Sequence, residues 1–284
     1  MPHSSHRLAL PGHDPLLLGS APVVMGILNV TPDSFSDGGA HDGVAAAVAH
    51  ANLMLAEGAD ILDIGGESTR PGHDPVGTQA ELDRVMPVLD ALRDAGITAP
   101  RSIDTYKAVV ADQAVQAGAT IINDVHGFQR EPEIADVAAL YGVPAIAMHW
   151  DEARDRDKDV IGEMIRFFEK SLKIADSAGL SREAIVLDPG FGFAKSLEEN
   201  YEILRRLPEL LTLGYPLLAG TSRKSMIGKL LDVPADQRLA GTLATTTIAY
   251  SAGAHIFRVH DVRANRDALR VAAATLYGPP QLGA

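Results

Sequence analysis

The chain has 284 residues, 46% hydrophobic and 22% charged, with a formal net charge of −12 at pH 7. That balance suits a globular core in a solvated shell, and its acidity argues against nucleic acid or an anionic membrane as partner, since both need surplus Lys and Arg. Cysteine is absent, which excludes disulfides, thiolate catalysis and cysteine zinc sites, and no apolar run approaches the roughly 20 residues of a membrane span. Residues 1–22 hold two short apolar patches, Leu8 to Leu10 and Leu16 to Leu18, broken by Pro11, Gly12 and Pro15. They read as a tail or a short hairpin at the bottom of a barrel, not as a signal-peptide core.

From residue 23 onward, eight short apolar runs each precede a stretch of helical character. The runs are Val23 to Val30, Ala59 to Gly66, Pro100 to Thr105, Thr120 to Val125, Pro144 to Trp150, Ala184 to Gly190, Pro216 to Ser222 and Ala254 to Asp261. Most are apolar on both faces, as a parallel strand covered on both sides requires. Between the first two, Val44, Val48, Ala51 and Leu55 recur at helical spacing, and Gly58 reads as the C-cap. Thr78 with Glu81 reads as a capping box opening the second helix. Strand starts lie roughly 20 to 40 residues apart, about one β/α unit each. Eight such units predict a single (β/α)8 TIM barrel over residues 23–277, with 278–284 as a C-terminal tail; a doubly wound open sheet is the alternative.

In such a barrel the carboxyl ends of the strands form the open rim, and polar residues there read as functional. Asn29, Asp104, Asn123, Asp188, Lys224, Arg258 and His260 all fall at or just beyond a strand end. Each alone is consistent with a cap or turn residue, Arg258 with a barrel-closing salt bridge, and His260 with a structural histidine. Together they form two groups. Asp104, Asn123, Asp188 and Lys224 suit the hydrogen-bonding edge of a flat, nitrogen-rich ring. Arg70, Arg258 and His260 suit an anion, and Asn29 can give Mg²⁺ an oxygen ligand beside phosphate oxygens. A local cationic group in an acidic chain points to a small phosphorylated ligand.

The run Met25 to Gly39 (MGILNVTPDSFSDGG) resembles the first signature of the dihydropteroate synthase family, and Asp63 to Gly72 (DIGGESTRPG) resembles the second. Ser102 to Thr105, Ile122 to Val125, Asp188 to Phe193, Ser222 to Ser225 and Arg258 to Asp261 match the remaining motifs in order, so the resemblance covers roughly residues 22 to 277. It implies an enzyme that joins p-aminobenzoate to 6-hydroxymethyl-7,8-dihydropterin diphosphate, giving dihydropteroate and diphosphate with Mg²⁺. By position, it implies that Asp104, Asn123, Met148, Asp188, Lys224 and Arg258 hold the pterin. Asn29, Arg70, Arg258 and His260 face the diphosphate, with Asn29 on the metal. Thr69, Arg70, Pro71, Phe193, Lys224 and Ser225 line the p-aminobenzoate site. Asp104, Lys224, Arg258 and His260 are the expected catalytic set. The family further implies a cytoplasmic homodimer and a sulfonamide target.

One segment departs from the family pattern. Trp150 to Asp159 is highly charged and holds neither Gly nor Pro. It reads as a solvated loop, or as an altered pocket edge through Trp150. A pterin-binding paralogue that is non-catalytic or differently specific is the alternative function, opposed by the intact Lys224, Arg258 and His260.

Overall fold

The computed structural model describes residues 3–31, 40–68 and 75–279. Strands β1 (His6–Leu8) and β2 (Leu16–Leu18) form an antiparallel hairpin. Eight parallel strands follow: β3 (Val23–Asn29), β4 (Ile61–Gly65), β5 (Arg101–Asp104), β6 (Ile121–Asp124), β7 (Ala145–Met148), β8 (Ile185–Asp188), β9 (Leu218–Ala219) and β10 (Ile256–Val259). Their order is β8-β7-β6-β5-β4-β3-β10-β9. The ends of that order meet through a parallel bridge between Leu187 and Leu217, with the Leu187 N–H donating to the Pro216 carbonyl at 3.0 Å. The expected barrel is therefore present, and the open doubly wound sheet is excluded. The strand expected over Pro216 to Ser222 is only two residues long, and that short span makes the closing seam a single bridge.

Helices α1 (Ala40–Ala56), α2 (Thr78–Asp94), α3 (Ala108–Gln116), α4 (Glu133–Tyr141), α5 (Val160–Ser177) and α6 (Leu197–Arg206) each follow a barrel strand in turn. Two helices, α7 (Ser225–Leu231) and α8 (Leu239–Ser251), separate β9 from β10, and α9 (Val262–Tyr277) ends the barrel. Local chemistry sets several of these boundaries. Gly58 follows α1 with φ +100, and its N–H closes on the Leu55 carbonyl. The Asp159 carboxylate caps α5 by accepting from Gly162 N–H at 2.8 Å. α6 opens with a reciprocal Ser196–Glu199 capping box. The box expected from Thr78 and Glu81 does not form. Gly77 is the N-cap without a side-chain bond, and the buried Glu81 carboxylate is drawn instead to Lys107.

Strand alternation sorts the barrel into two environments. Val24, Leu62, Ile64, Ile103, Ile122, Ala147, Leu187 and Phe257 face outward into the main core shared with the helices. Val23, Met25, Ile61, Ile121, Ile146, Val186, Leu218 and Ile256 face inward and form a separate core that Leu8, Leu10 and Leu18 complete from the hairpin. The barrel floor is thus a closed apolar plug. Two residues further along the same inward face, the chemistry changes. Ile61 gives way to Asp63, Ile121 to Asn123, Ile146 to Met148, Val186 to Asp188, Leu218 to Gly220 and Ile256 to Arg258. This polar layer lies at the carboxyl ends of the strands and is the base of the site.

Candidate active site

A cavity of about 540 Å³ opens on that rim, and Asn29, Asp104, Asn123, Met148, Asp188, Phe193, Lys224, Ser225, Arg258 and His260 all line it. Its floor is organised by Asp63, a fully buried carboxylate on β4. Arg258 Nε donates to Asp63 Oδ2 at 2.6 Å, while its Nη2 donates to Asp104 Oδ2 at 2.6 Å. Asn123 Nδ2 approaches both oxygens of Asp63, at 3.3 and 3.4 Å. Arg258 therefore does form an internal salt bridge, and it does so while lining the cavity. Asp188, on β8, accepts from Gly190 N–H at 2.7 Å.

These groups are electrostatically poised. Burial raises the Asp104 carboxyl, with Arg258 opposing and Asp63 adding to the shift, to about 7. Burial likewise raises Asp188, opposed by the Gly190 N–H. Arg258 is raised further above its ordinary value, as Asp63 and Asp104 outweigh its own desolvation. Burial is the larger cause, and sharing one guanidinium with Asp63 adds to it, so Asp104 holds its proton more tightly than an exposed carboxyl does. Asp104 Oδ1 is buried and has no hydrogen-bond partner among the described residues. A buried acceptor left open beside a cavity suits a ligand that brings an N–H donor.

The other side of the cavity is cationic. Lys224 is the N-cap of α7, and its ammonium sits 4.0 Å from the centroid of the Phe193 ring. Ser225 begins the helix. The preceding residue, Arg223, has φ +56, a costly conformation for a long side chain. Three contacts hold it there: Arg223 N–H donates to Thr242 Oγ1 at 3.0 Å, Arg238 donates to its carbonyl at 2.9 Å, and its Nε donates to Asp261 Oδ2 at 2.9 Å. A strained residue fixed from three sides sets the direction of Lys224 next to it. His260 Nδ1 lies 3.0 Å from Ser222 Oγ. Asn29 closes the row at the end of β3.

No cluster of three His, Cys, Asp or Glu side chains able to hold a metal occurs among the described residues. A cavity-lining carboxamide such as Asn29 still fits Mg²⁺, which takes few protein ligands when phosphate and water supply the rest. Thr69, Arg70 and Pro71 lie outside the described residues, as does the first motif from Pro32 to Gly39. Sequence reasoning assigned no role to Asp63, Arg238, Glu67 or Ser68, although the last three line the cavity and Asp63 organises its floor. A carboxylate within the apolar run Ile61 to Ile64 was the available signal for Asp63.

A sequence model of the family described as pterin binding enzyme matches residues 25–260. The dihydropteroate synthase of Escherichia coli (strain K12) is 48% identical over 264 residues, covering 90% of this chain and 93% of the relative. That of Clostridium beijerinckii is 46% identical over 255 residues, covering 89% and 94%. The chain belongs to the dihydropteroate synthase family. Solved structures agree. The Xanthomonas albilineans dihydropteroate synthase with 4-aminobenzoic acid superposes with a TM-score of 0.90 at 46% identity, covering 97% of this chain and 100% of that one. A Coxiella burnetii dihydropteroate synthase in complex with pteroic acid gives 0.86 at 37% identity, covering 96% and 99%.

The segment that departs from the dihydropteroate synthase pattern is only partly the solvated loop expected. Arg156 and Lys158 are exposed, but Arg154 is 5% exposed and pairs with Glu199, since a buried guanidinium needs a carboxylate. Nor does Trp150 form the cavity edge. It stands half-buried behind Phe193, at 5.0 Å between ring centroids.

Proposed function

We propose that the chain catalyses the dihydropteroate synthase reaction at this cavity, condensing p-aminobenzoate with 6-hydroxymethyl-7,8-dihydropterin diphosphate. The observation that carries the reading is the polar layer itself. Asp104, Asn123 and Asp188 converge on one cavity above an apolar floor, and Asp104 keeps one buried oxygen open. A pterin edge presents ring and exocyclic N–H donors that match carboxylates, and acceptors that match the amide of Asn123 and the ammonium of Lys224. Met148 supplies an apolar wall, and Arg258 offers its flat guanidinium to the ring.

In the reaction the C–O bond between the pterin methylene and the diphosphate breaks, its electron pair leaving with diphosphate. The aryl amine lone pair then forms the C–N bond, and the resulting secondary ammonium, strongly acidic, passes one proton to water or to the released diphosphate. The ionised form of Asp104 stabilises positive charge that develops on the ring side of that carbon. Arg258, His260, and Arg70 outside the described residues would bind the leaving group. Lys224, Phe193 and Ser225, with Thr69 and Pro71, would hold the acceptor ring and its carboxylate. No strong general base is needed, because the aryl amine is neutral at pH 7. Mg²⁺, held through Asn29, would supply charge neutralisation for the diphosphate when bound.

The same reading carries a homodimer, sensitivity to sulfonamides and a cytoplasmic location as proposals. The dimer is supported by exposed apolar side chains late in the chain, including Ile248, Val271, Leu276 and Tyr277. No helix among the described residues is long and apolar enough to cross a membrane. The function is tested with purified protein, the pterin diphosphate, p-aminobenzoate and Mg²⁺. Dihydropteroate and diphosphate are expected in equal amounts; pterin binding without either product would reject the reading.

A further inference from the structure

The segment after β7 makes repeated contacts with one neighbour, the loop from Gly190 to Ser196 after β8. The Lys195 ammonium donates to the carbonyls of Gly190, Phe193 and His149 at 2.8, 3.0 and 3.2 Å. It also lies 3.0 Å from His149 Nδ1, which burial keeps neutral. Gly190 has φ +68, and a Cβ there would fall 2.2 Å from the His149 carbonyl oxygen, so the two loops touch backbone to backbone. Arg154 pairs with Glu199, whose other oxygen accepts from Ser196 N–H at 2.7 Å. Arg156 reaches the carbonyl of Ala194, whose φ of 49 is unfavourable for a residue with a Cβ.

Trp150 is where this clasp meets the cavity wall. Its indole stacks on the His126 imidazole, with centroids 4.5 Å apart and planes 14° apart, and it tilts against Phe193. His126 is itself held edge-on by Tyr106 at 5.1 Å and by Arg130 Nη1 at 3.1 Å. Phe193 therefore makes two contacts at once, with the Trp150 indole and with the Lys224 ammonium. A phenyl ring so placed cannot turn without losing an aromatic contact or a cation–π contact.

We propose that Trp150 is a positioning residue for acceptor recognition, fixing Phe193 against Lys224 and so setting the affinity for the aryl amine. The inference rests on the reading that Phe193 and Lys224 line the acceptor site. Trp150 does not touch substrate; it acts through Phe193, while the Arg154–Glu199 and Lys195 contacts keep the two loops in register.

The test compares Trp150→Met, Trp150→Phe, Phe193→Ala and the Trp150→Met/Phe193→Ala double variant in steady-state kinetics. Affinity for 6-hydroxymethylpterin is measured in parallel by calorimetry. Trp150→Met is expected to raise KM for p-aminobenzoate by about 2- to 10-fold, the range one aromatic pair supplies, with a smaller change in kcat and in pterin affinity. Trp150→Phe, which keeps a ring against Phe193, is expected to restore most of the loss. The double variant is expected to be no worse than Phe193→Ala alone, because both changes break one device. If Phe193→Ala raises KM for p-aminobenzoate while Trp150→Met does not, or if the effects add, the proposal is overturned and the acceptor reading stands. If Phe193→Ala leaves that KM unchanged and weakens pterin binding instead, the acceptor reading fails and takes the proposal with it.

Discussion

Pterin binding is expected to release a proton from Asp104. In the free protein its carboxyl is pushed up to about 7, because burial and Asp63 outweigh Arg258. One oxygen is occupied by Arg258 at 2.6 Å and the other is open. A pterin N–H donated to that open oxygen favours the carboxylate, so the bound state sheds the proton that the free state holds. The sign follows from linkage: affinity rises with pH up to about 7 and levels off above it. With half of the free sites protonated at pH 7, binding releases about 0.5 proton there, and affinity falls about fivefold from pH 7 to 6. Calorimetry of 6-hydroxymethylpterin in buffers of different ionisation enthalpy measures the release directly. Asp104→Asn is expected to remove most of the pH slope, leaving what Asp188, also raised by burial, contributes. Proton uptake on binding, or an unchanged slope in Asp104→Asn, would mean that Asp104 does not hold the proton that pterin displaces.

Three other perturbations follow from the same contacts. Asp63→Ala removes a buried partner of Arg258 and is expected to cost about 3–5 kcal/mol in denaturant unfolding, whereas Asp63→Asn shifts the proton-release midpoint to lower pH; an exposed-residue effect below about 0.5 kcal/mol would contradict this. Gly190→Ala forces a Cβ toward the His149 carbonyl at positive φ, so a loss of about 1–3 kcal/mol is expected in thermal unfolding, and a neutral result would mean that the two loops do not meet. The chain has one tryptophan, and it stacks on His126, whose pKa burial lowers to about 4. Trp150 emission is therefore expected to stay flat from pH 8 to about 5 and change toward pH 4; a midpoint near the ordinary histidine value would show an exposed, unstacked His126.

The barrel was legible because its strands are apolar on both faces and regularly spaced. That same double burial hid the interior layer. In Ile61-Leu62-Asp63-Ile64, alternation puts the carboxylate on the face of Ile61, but with both faces apolar the sequence does not show that this face is the inward one or that Arg258, far along the chain, reaches it. The rim residues Asp104, Asn123, Asp188, Lys224, Arg258 and His260 were readable one strand at a time, and the closed topology brings them to one cavity. Pairing was not readable. Glu81 stands where a capping box needs it, yet the Lys107 ammonium offers a stronger partner than a helix N–H. The charged run after Trp150 resembled a solvated loop because charge is usually exposed, and Arg154 is buried only because Glu199 arrives from α6.

The polar layer above the apolar plug is the proposed pterin site. A crystal structure of the protein with 6-hydroxymethylpterin and diphosphate tests it most directly. The pterin edge is expected against Asp104, Asn123 and Asp188, with a ring N–H donating to Asp104 Oδ1 and the diphosphate beside His260 and Asn29. A pterin bound elsewhere, with Asp104 Oδ1 still unpartnered, would contradict it.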